Sequence, residues 1–213
     1  MVTYWWVLPA VAVFSLVMTY GLRHYALARS LMDIPNARSS HSLPTPRGGG
    51  VAIVVSSLVA LSLLVVGDLL ESSSVRSLLG AGMLVAVVGF IDDHKHIAAR
   101  WRLLAHFAAS GWALMSIGGV PTVFVLGMVV DLGLLGAVLW AVFLVWLLNL
   151  YNFMDGIDGI ASVEAICVCT SGATLYFLVG ESESAVVPLV LAAAVVGFLF
   201  WNFPPARIFM GDA

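Results

Sequence analysis

The sequence predicts an all-α, polytopic membrane protein: a single transmembrane domain over residues 1–213 with about seven crossing helices. Three observations predict it. Of the 213 residues, 62% are hydrophobic and 10% charged, against roughly 25% charged in an average soluble domain. Long runs carry no Asp, Glu, Lys or Arg at all: 1–22, 48–67, 77–91, 103–130, 132–154, 165–180 and 184–206. The cations between those runs are distributed with a strong bias.

A crossing helix takes about 20 mainly apolar residues, with about 17–25 tolerated. The first predicted span, 4–22, has no basic segment before it and Arg23 after it, which argues against a cleaved signal peptide. The second, 50–67, follows three glycines. The third, 77–91, is short, and is accepted because its flanking charges otherwise have no topological sense. The fourth to seventh are 103–118, 132–150, 160–179 and 185–202. Cys167 and Cys169 fall inside the sixth and read as small buried thiols rather than a disulfide or a zinc site.

Orientation follows from the basic residues. Arg23, Arg29, Arg38 and Arg47 lie in or beside the first loop, Lys95, Arg100 and Arg102 in the third, and Arg207 after the last span; only Arg76 has opposite parity. Cytoplasmic loops carry the Lys/Arg excess. The N-terminus is therefore expected outside, and the odd-numbered loops and the tail in the cytoplasm. Three acidic knots then share the cytoplasmic face: Asp92-Asp93, Asp155 with Asp158, and Asp212. Clustered carboxylates raise one another's pKa or need a cation between them. This points to metal-assisted chemistry at a membrane surface.

The loops themselves are patterned. In the first, three prolines limit regular helix, and Arg47 with Gly48-Gly49-Gly50 leads into the second span. Bare amides there suit a phosphate, while the same glycines equally suit close helix packing. Asp92-Asp93 ends the third span, where acids oppose the helix dipole; a divalent ion, Lys95, Arg100 or Arg102 would compensate, or the pair is a solvated loop with local ion pairs. Asn149, Asn152, Asp155 and Asp158 recur every third residue and fan over half a turn of helix. Their hard oxygens suit Mg²⁺, and the spacing does not fit an EF-hand loop. The chain stops one residue after Asp212, as though interrupted.

Taken together, these segments resemble the polyprenyl-phosphate N-acetylhexosamine-1-phosphate transferases. That family starts O-antigen, enterobacterial common antigen and teichoic acid synthesis, and includes more distantly phospho-MurNAc-pentapeptide translocase. The likeness rests on Asp33-Ile-Pro-Asn with Arg38, His41 and Pro-Arg-Gly-Gly; on Gly89-Phe-Ile-Asp92-Asp93 with Arg102; on Asn149-x-x-Asn152-x-x-Asp155-Gly-x-Asp158-Gly; and on Phe209-Met-Gly211-Asp212. It covers essentially the whole chain, with the O-antigen initiating type as the nearest likeness.

The resemblance implies that a UDP-N-acetylamino sugar gives its sugar-1-phosphate to undecaprenyl phosphate and releases UMP. This would be the first step of a cell-surface polysaccharide, at the cytoplasmic face of a bacterial inner membrane. It implies Mg²⁺, with Mn²⁺ as a substitute, held by Asn152 and Asp212. Asp92 and Asp93 would position or deprotonate the lipid phosphate, and Asp155 and Asp158 would organise the nucleotide and metal end. Arg38, His41, Gly48, Gly49, Lys95, Arg102 and Asn149 would bind substrate. The expected partners are both substrates and the bilayer, with a homodimer allowed and no nucleic acid. The sequence departs from the family at His96 and His106, where an acid and a glutamine are common, and lacks a His-rich loop that follows in the family. The chain thus reads as the N-terminal part of a longer one. An ion-coupled transporter is the alternative, disfavoured because the acids sit at span ends; only Glu164 lies well inside a span.

Overall fold

The computed structural model describes residues 5–35, 43–70, 72–95, 97–120, 122–125 and 127–212, with the side chains of 72–74 and 123–125 left aside. Within them the chain forms α1 (Val7–Arg29), α2 (Gly50–Val66), α3 (Ser72–Lys95), α4 (Ala99–Ser116), α5 (Gly133–Met154), α6 (Ile160–Leu178) and α7 (Val186–Asn202). Two small antiparallel hairpins complete the description. β1 (Met32–Asp33) pairs with β2 (Thr45–Pro46), setting Asp33 opposite Thr45, and β3 (Val123–Val125) pairs with β4 (Met128–Val130).

Each predicted span coincides with a helix, and the largest differences are at α1 and α3. α1 runs to Arg29 rather than 22, and α3 extends on both sides of 77–91 to include Asp92, Asp93 and Lys95. A charge ends an apolar stretch, but it does not end a helix. Arg29 in the last turn of α1, and His94 and Lys95 in that of α3, sit where cations favour the helix dipole. The short third span is thereby the inner part of a 24-residue helix.

Four helical segments are long and apolar enough to cross a membrane: Val7–Arg29, Val75–Lys95, Gly133–Met154 and Ile160–Leu178. With these the chain is an all-helical membrane protein. α2 and α7 are apolar but 17 residues long, about 25 Å against a hydrocarbon core of about 30 Å. α4 carries Arg100, Arg102 and His106 in its first half.

α7 is the hub, packed against α1, α2 and α6. Val190, Ala194, Val195 and Phe198 bury its faces against Val11 of α1 and Ile53, Ala60 and Leu61 of α2. Small residues set these distances, since lipid tails offer no hydrophobic drive between helices. A Cβ on Gly197 would lie 2.1 Å from the Ala12 carbonyl oxygen, so α1 and α7 touch backbone to backbone. Polar side chains fasten the same contacts. Ser15 Oγ donates to the Ala194 carbonyl at 2.6 Å, Trp201 Nε1 to that of Leu16 at 3.1 Å, and Ser162 Oγ to Asn202 Oδ1 at 2.9 Å. α5 lies at the periphery, with Gly136 and Val145 as its buried residues.

Cys169 is buried as expected, whereas Cys167 is exposed. Residues two apart on a helix point about 200° apart, so one segment cannot bury both against one neighbour.

Candidate functional site

The loop after α1, the end of α3, the α5–α6 junction and the tail after α7 meet at one end of the bundle. The tail is the clasp. Phe209 N donates to the Pro46 carbonyl at 2.8 Å; in return Gly49 N donates to that of Phe209 at 2.9 Å, and Gly50 N to that of Met210 at 2.8 Å. This binds the start of α2 to the chain that carries Asp212. It also gives two glycines of this segment backbone partners. The amides of Gly49 and Gly50 bind the tail, and a Cβ on Gly49 would meet the Phe198 ring at 2.4 Å.

The acids then converge. Asp93 is 4% exposed and accepts from the Asp212 amide at 3.2 and 3.3 Å. Asp155 Oδ2 accepts from the Gly211 amide at 3.0 Å. Asn152 Nδ2 donates to Asp212 Oδ1, which keeps the Asn152 carbonyl oxygen available as a hard ligand. Gly211 between them has φ +79°, and a Cβ there would sit 2.7 Å from Asp93 Oδ2 and 2.8 Å from Gly48 N. Only glycine fits this turn.

Asp33, Arg47, Asp93, Asn152, Asp155 and Asp212 line a single open cleft of about 270 Å³, with Phe153 and Phe209 contributing apolar walls. Four carboxylates therefore face one guanidinium. Burial, with the charges of Asp33 and Asp93 adding to it, pushes Asp155 up to about 7 against the pull of the Gly211 and Met210 amides. Such a cleft holds excess negative charge at neutral pH, and hard oxygens are its only metal-type donors. Among the described residues no three His, Cys, Asp or Glu side chains converge into a ready-made cage. This fits Mg²⁺, which keeps several waters and takes one or two carboxylates together with substrate phosphates.

The other predicted residues take different places. Asp92 is buried and committed: Arg102 Nη1 donates to its Oδ2 at 2.8 Å, and the Ile97 amide to its Oδ1 at 2.6 Å. The paired acids thus separate into a cleft residue, Asp93, and one that braces the turn into α4. Asp158 Oδ2 accepts from the Ala206 amide at 2.9 Å and so holds the tail rather than lining the cleft. Asn149 donates to the Val145 carbonyl at 2.7 Å and lies 3.5 Å from His106 Nδ1, one turn before Asn152. Lys95 is exposed at the end of α3. Gly48 is beside the cleft, the position of its Cβ being 4.0 Å from Asp93 Oδ2. Arg38, His41 and His96 lie outside the described residues.

Two charged cleft residues were not singled out as site residues by the sequence: Asp33 and Arg47. The signal was present in part. Both belong to patterned loop segments, and the β1–β2 register carries Asp33 back beside the residues preceding α2.

The fold and the cleft define a helical membrane protein with acids from separate segments gathered at one end of the bundle. Comparison with known proteins gives this class a family: residues 75–213 match the model described as glycosyl transferase family 4, and the chain belongs to that family. It is 28% identical over 92% of its length to a probable undecaprenyl-phosphate N-acetylglucosaminyl 1-phosphate transferase of Bacillus subtilis. It is 29% identical over 95% to a decaprenyl-phosphate N-acetylglucosaminephosphotransferase of Mycolicibacterium smegmatis, and 30% identical over 90% to a phospho-N-acetylmuramoyl-pentapeptide-transferase of Symbiobacterium thermophilum. The matches cover 55%, 54% and 62% of those proteins, so the chain spans little more than half the length of these relatives.

Proposed function

We propose that the protein transfers an N-acetylamino-sugar 1-phosphate from a UDP-sugar to undecaprenyl phosphate, releasing UMP, in the first step of a cell-surface polysaccharide such as O-antigen. The observation that carries this reading is the cleft: four acids from four separate segments, one arginine, and a position at the end of an apolar bundle. The related proteins whose names specify polyprenyl phosphates and N-acetylglucosamine 1-phosphate support it.

In the transfer, a lipid phosphate oxygen forms a bond to the sugar-bearing phosphorus. The diphosphate bridge on the far side breaks, and its oxygen leaves with UMP. Both reactants are anions, so the protein must position them in line and balance their charge. Asp93, in the cleft, is the residue to orient the lipid phosphate and accept any proton it still carries; Asp92, tied to Arg102, fixes the turn beside it. Asp155 and Asp158 hold the tail through Gly211 and Ala206 and so set the position of Asp212. Asn152 and Asp212 would hold Mg²⁺, which when bound stabilises charge on the departing phosphate. The bundle end places the cleft where a prenyl chain can stay in the bilayer while its phosphate meets a soluble nucleotide sugar.

The test is product analysis with a UDP-sugar labelled in the sugar and in the uridine. Lipid-diphosphate-sugar and UMP should appear in equal amounts, and only with a divalent ion. Release of UDP would mean a different bond breaks and would reject the reading. The excess of Lys and Arg in these loops supports a cytoplasmic location for this end, at the inner membrane; a cysteine at Ala98 should react with impermeant reagents only from inside.

A further inference from the structure

Arg47 has an unusual position for a half-buried cation. Its Nη2 donates to the backbone carbonyl of Asp93 at 3.0 Å, while its Nε stays 3.6 Å from Asp93 Oδ1. Charge-assisted contacts of good geometry close to about 2.7–2.9 Å, so the pairing with the carboxylate is loose. The Nε atom is buried and has no hydrogen-bond partner among the described residues. Arg102 shows the contrast: it closes on Asp92 at 2.8 Å, outside the cleft. Arg47 is therefore anchored through the neutral carbonyl and only loosely paired with the carboxylate, and among the described residues it is the cation on the wall of a cleft with four carboxylates.

We propose that Arg47 is a charge-holder that opposes the divalent cation and favours the phosphate. Without ligands, the guanidinium offsets part of the negative charge at Asp93 and lowers the attraction of the cleft for a metal ion. When nucleotide diphosphate and metal arrive together, the same guanidinium pairs with a phosphate oxygen through the unused Nε–H. The cleft would thus take up metal with substrate rather than before it. This inference rests on the proposed transferase reading, because it needs an anionic phosphate and a divalent ion in one cleft.

Its signature is a pair of opposite shifts, which a merely structural arginine would not give. Calorimetry on the purified, detergent-solubilised protein would measure Mg²⁺ binding alone and UMP binding in saturating Mg²⁺. Arg47→Gln should bind Mg²⁺ about tenfold more tightly, because a cation within a few ångströms has gone. It should bind UMP about tenfold more weakly, having lost a charged hydrogen-bond donor. Arg47→Lys keeps the charge without the fork, so its Mg²⁺ affinity should match the wild type while its UMP affinity falls. Arg47→Lys also carries the test if Arg47→Gln does not fold: tighter Mg²⁺ binding in it, or unaltered UMP binding, overturns the inference. Wild-type Mg²⁺ binding with equal or weaker affinity in Arg47→Gln overturns the charge-holding role and leaves the transferase reading intact. No saturable Mg²⁺ or UMP binding by the wild type removes both.

Discussion

At the bundle end where the acids gather, hydrogen bonds join residues far apart in sequence: Gly49 with Phe209, Gly211 with Asp155, Asp212 with Asp93, and Ala206 with Asp158. At the opposite end the backbone bonds of the described residues stay within a turn or a hairpin. Leu69 N donates to Leu64, Gly119 N to Leu114, and Glu181 N to Tyr176, while β3 pairs with its neighbour β4. The bundle is the same, but only one end has its loops braced against each other. Cross-bracing fixes carboxylates that would otherwise repel each other, whereas local turns merely reverse the chain. Preorganisation of this kind lets fixed groups act on a developing charge without reorganising.

That difference orders the expected effects of substitution. The largest belongs to Asp93→Asn and Asp212→Asn, which keep shape and remove charge. Each should lower turnover by roughly 10²–10³, the cost of losing about 3–4 kcal/mol of transition-state stabilisation. The measurement is UMP release, with thermal melting as the folding control. Gly211→Ala comes next. Its Cβ would intrude on Asp93 and Gly48 in a left-handed turn, and strain of about 1–3 kcal/mol should reduce turnover roughly tenfold or more, with the helical signal unchanged.

A smaller effect concerns pH. Burial raises Asp155 to about 7, whereas an unfolded carboxyl titrates near about 3.9. The folded state therefore holds a proton that the unfolded chain has released. In EDTA, stability should fall as pH rises through this window and level off above about 7. Mg²⁺ should raise the melting temperature more at pH 8 than at pH 5; an equal rise at both would remove the charge argument for Asp155. The smallest effect belongs to the other end. Asp131 Oδ1 accepts from the Gly133 amide at 2.8 Å in the turn before α5. Asp131→Ala should cost about 0.5–1.5 kcal/mol of stability and leave turnover within about twofold.

The helices were legible because lipid imposes a simple rule: long uncharged runs become helices. Their ends were less so, since α1 and α3 run on through Arg23 and Asp92, whose charges seemed to close them, to Arg29 and Lys95. Within the site, Asp93, Asn152, Asp155 and Asp212 were legible as loop acids and amides with a common parity. Spacing alone did not separate Asp92 from Asp93, because adjacent residues on a helix point about 100° apart and only packing decides which faces the cleft. Nor did it separate Asn149 from Asn152, whose partners lie on α4 and the tail respectively. Arg47 and Asp33 enter the cleft through pairing of β1 with β2 and of the tail with Pro46 and Gly49, which are long-range contacts. Those are the contacts a one-dimensional pattern does not carry.

The proposed transferase needs the acids of α3, the α5–α6 junction and the tail to form one cation site. Electron paramagnetic resonance of Mn²⁺ titrated into the purified protein tests it most directly. One saturable ion per chain is expected, displaced by Mg²⁺, and bound about tenfold or more weakly in each of Asp93→Asn and Asp212→Asn. Glu164→Gln, one turn inside α6, should leave it unchanged. Mn²⁺ binding untouched by Asp93→Asn and Asp212→Asn but abolished by Glu164→Gln would contradict the claim and move the site into the membrane interior.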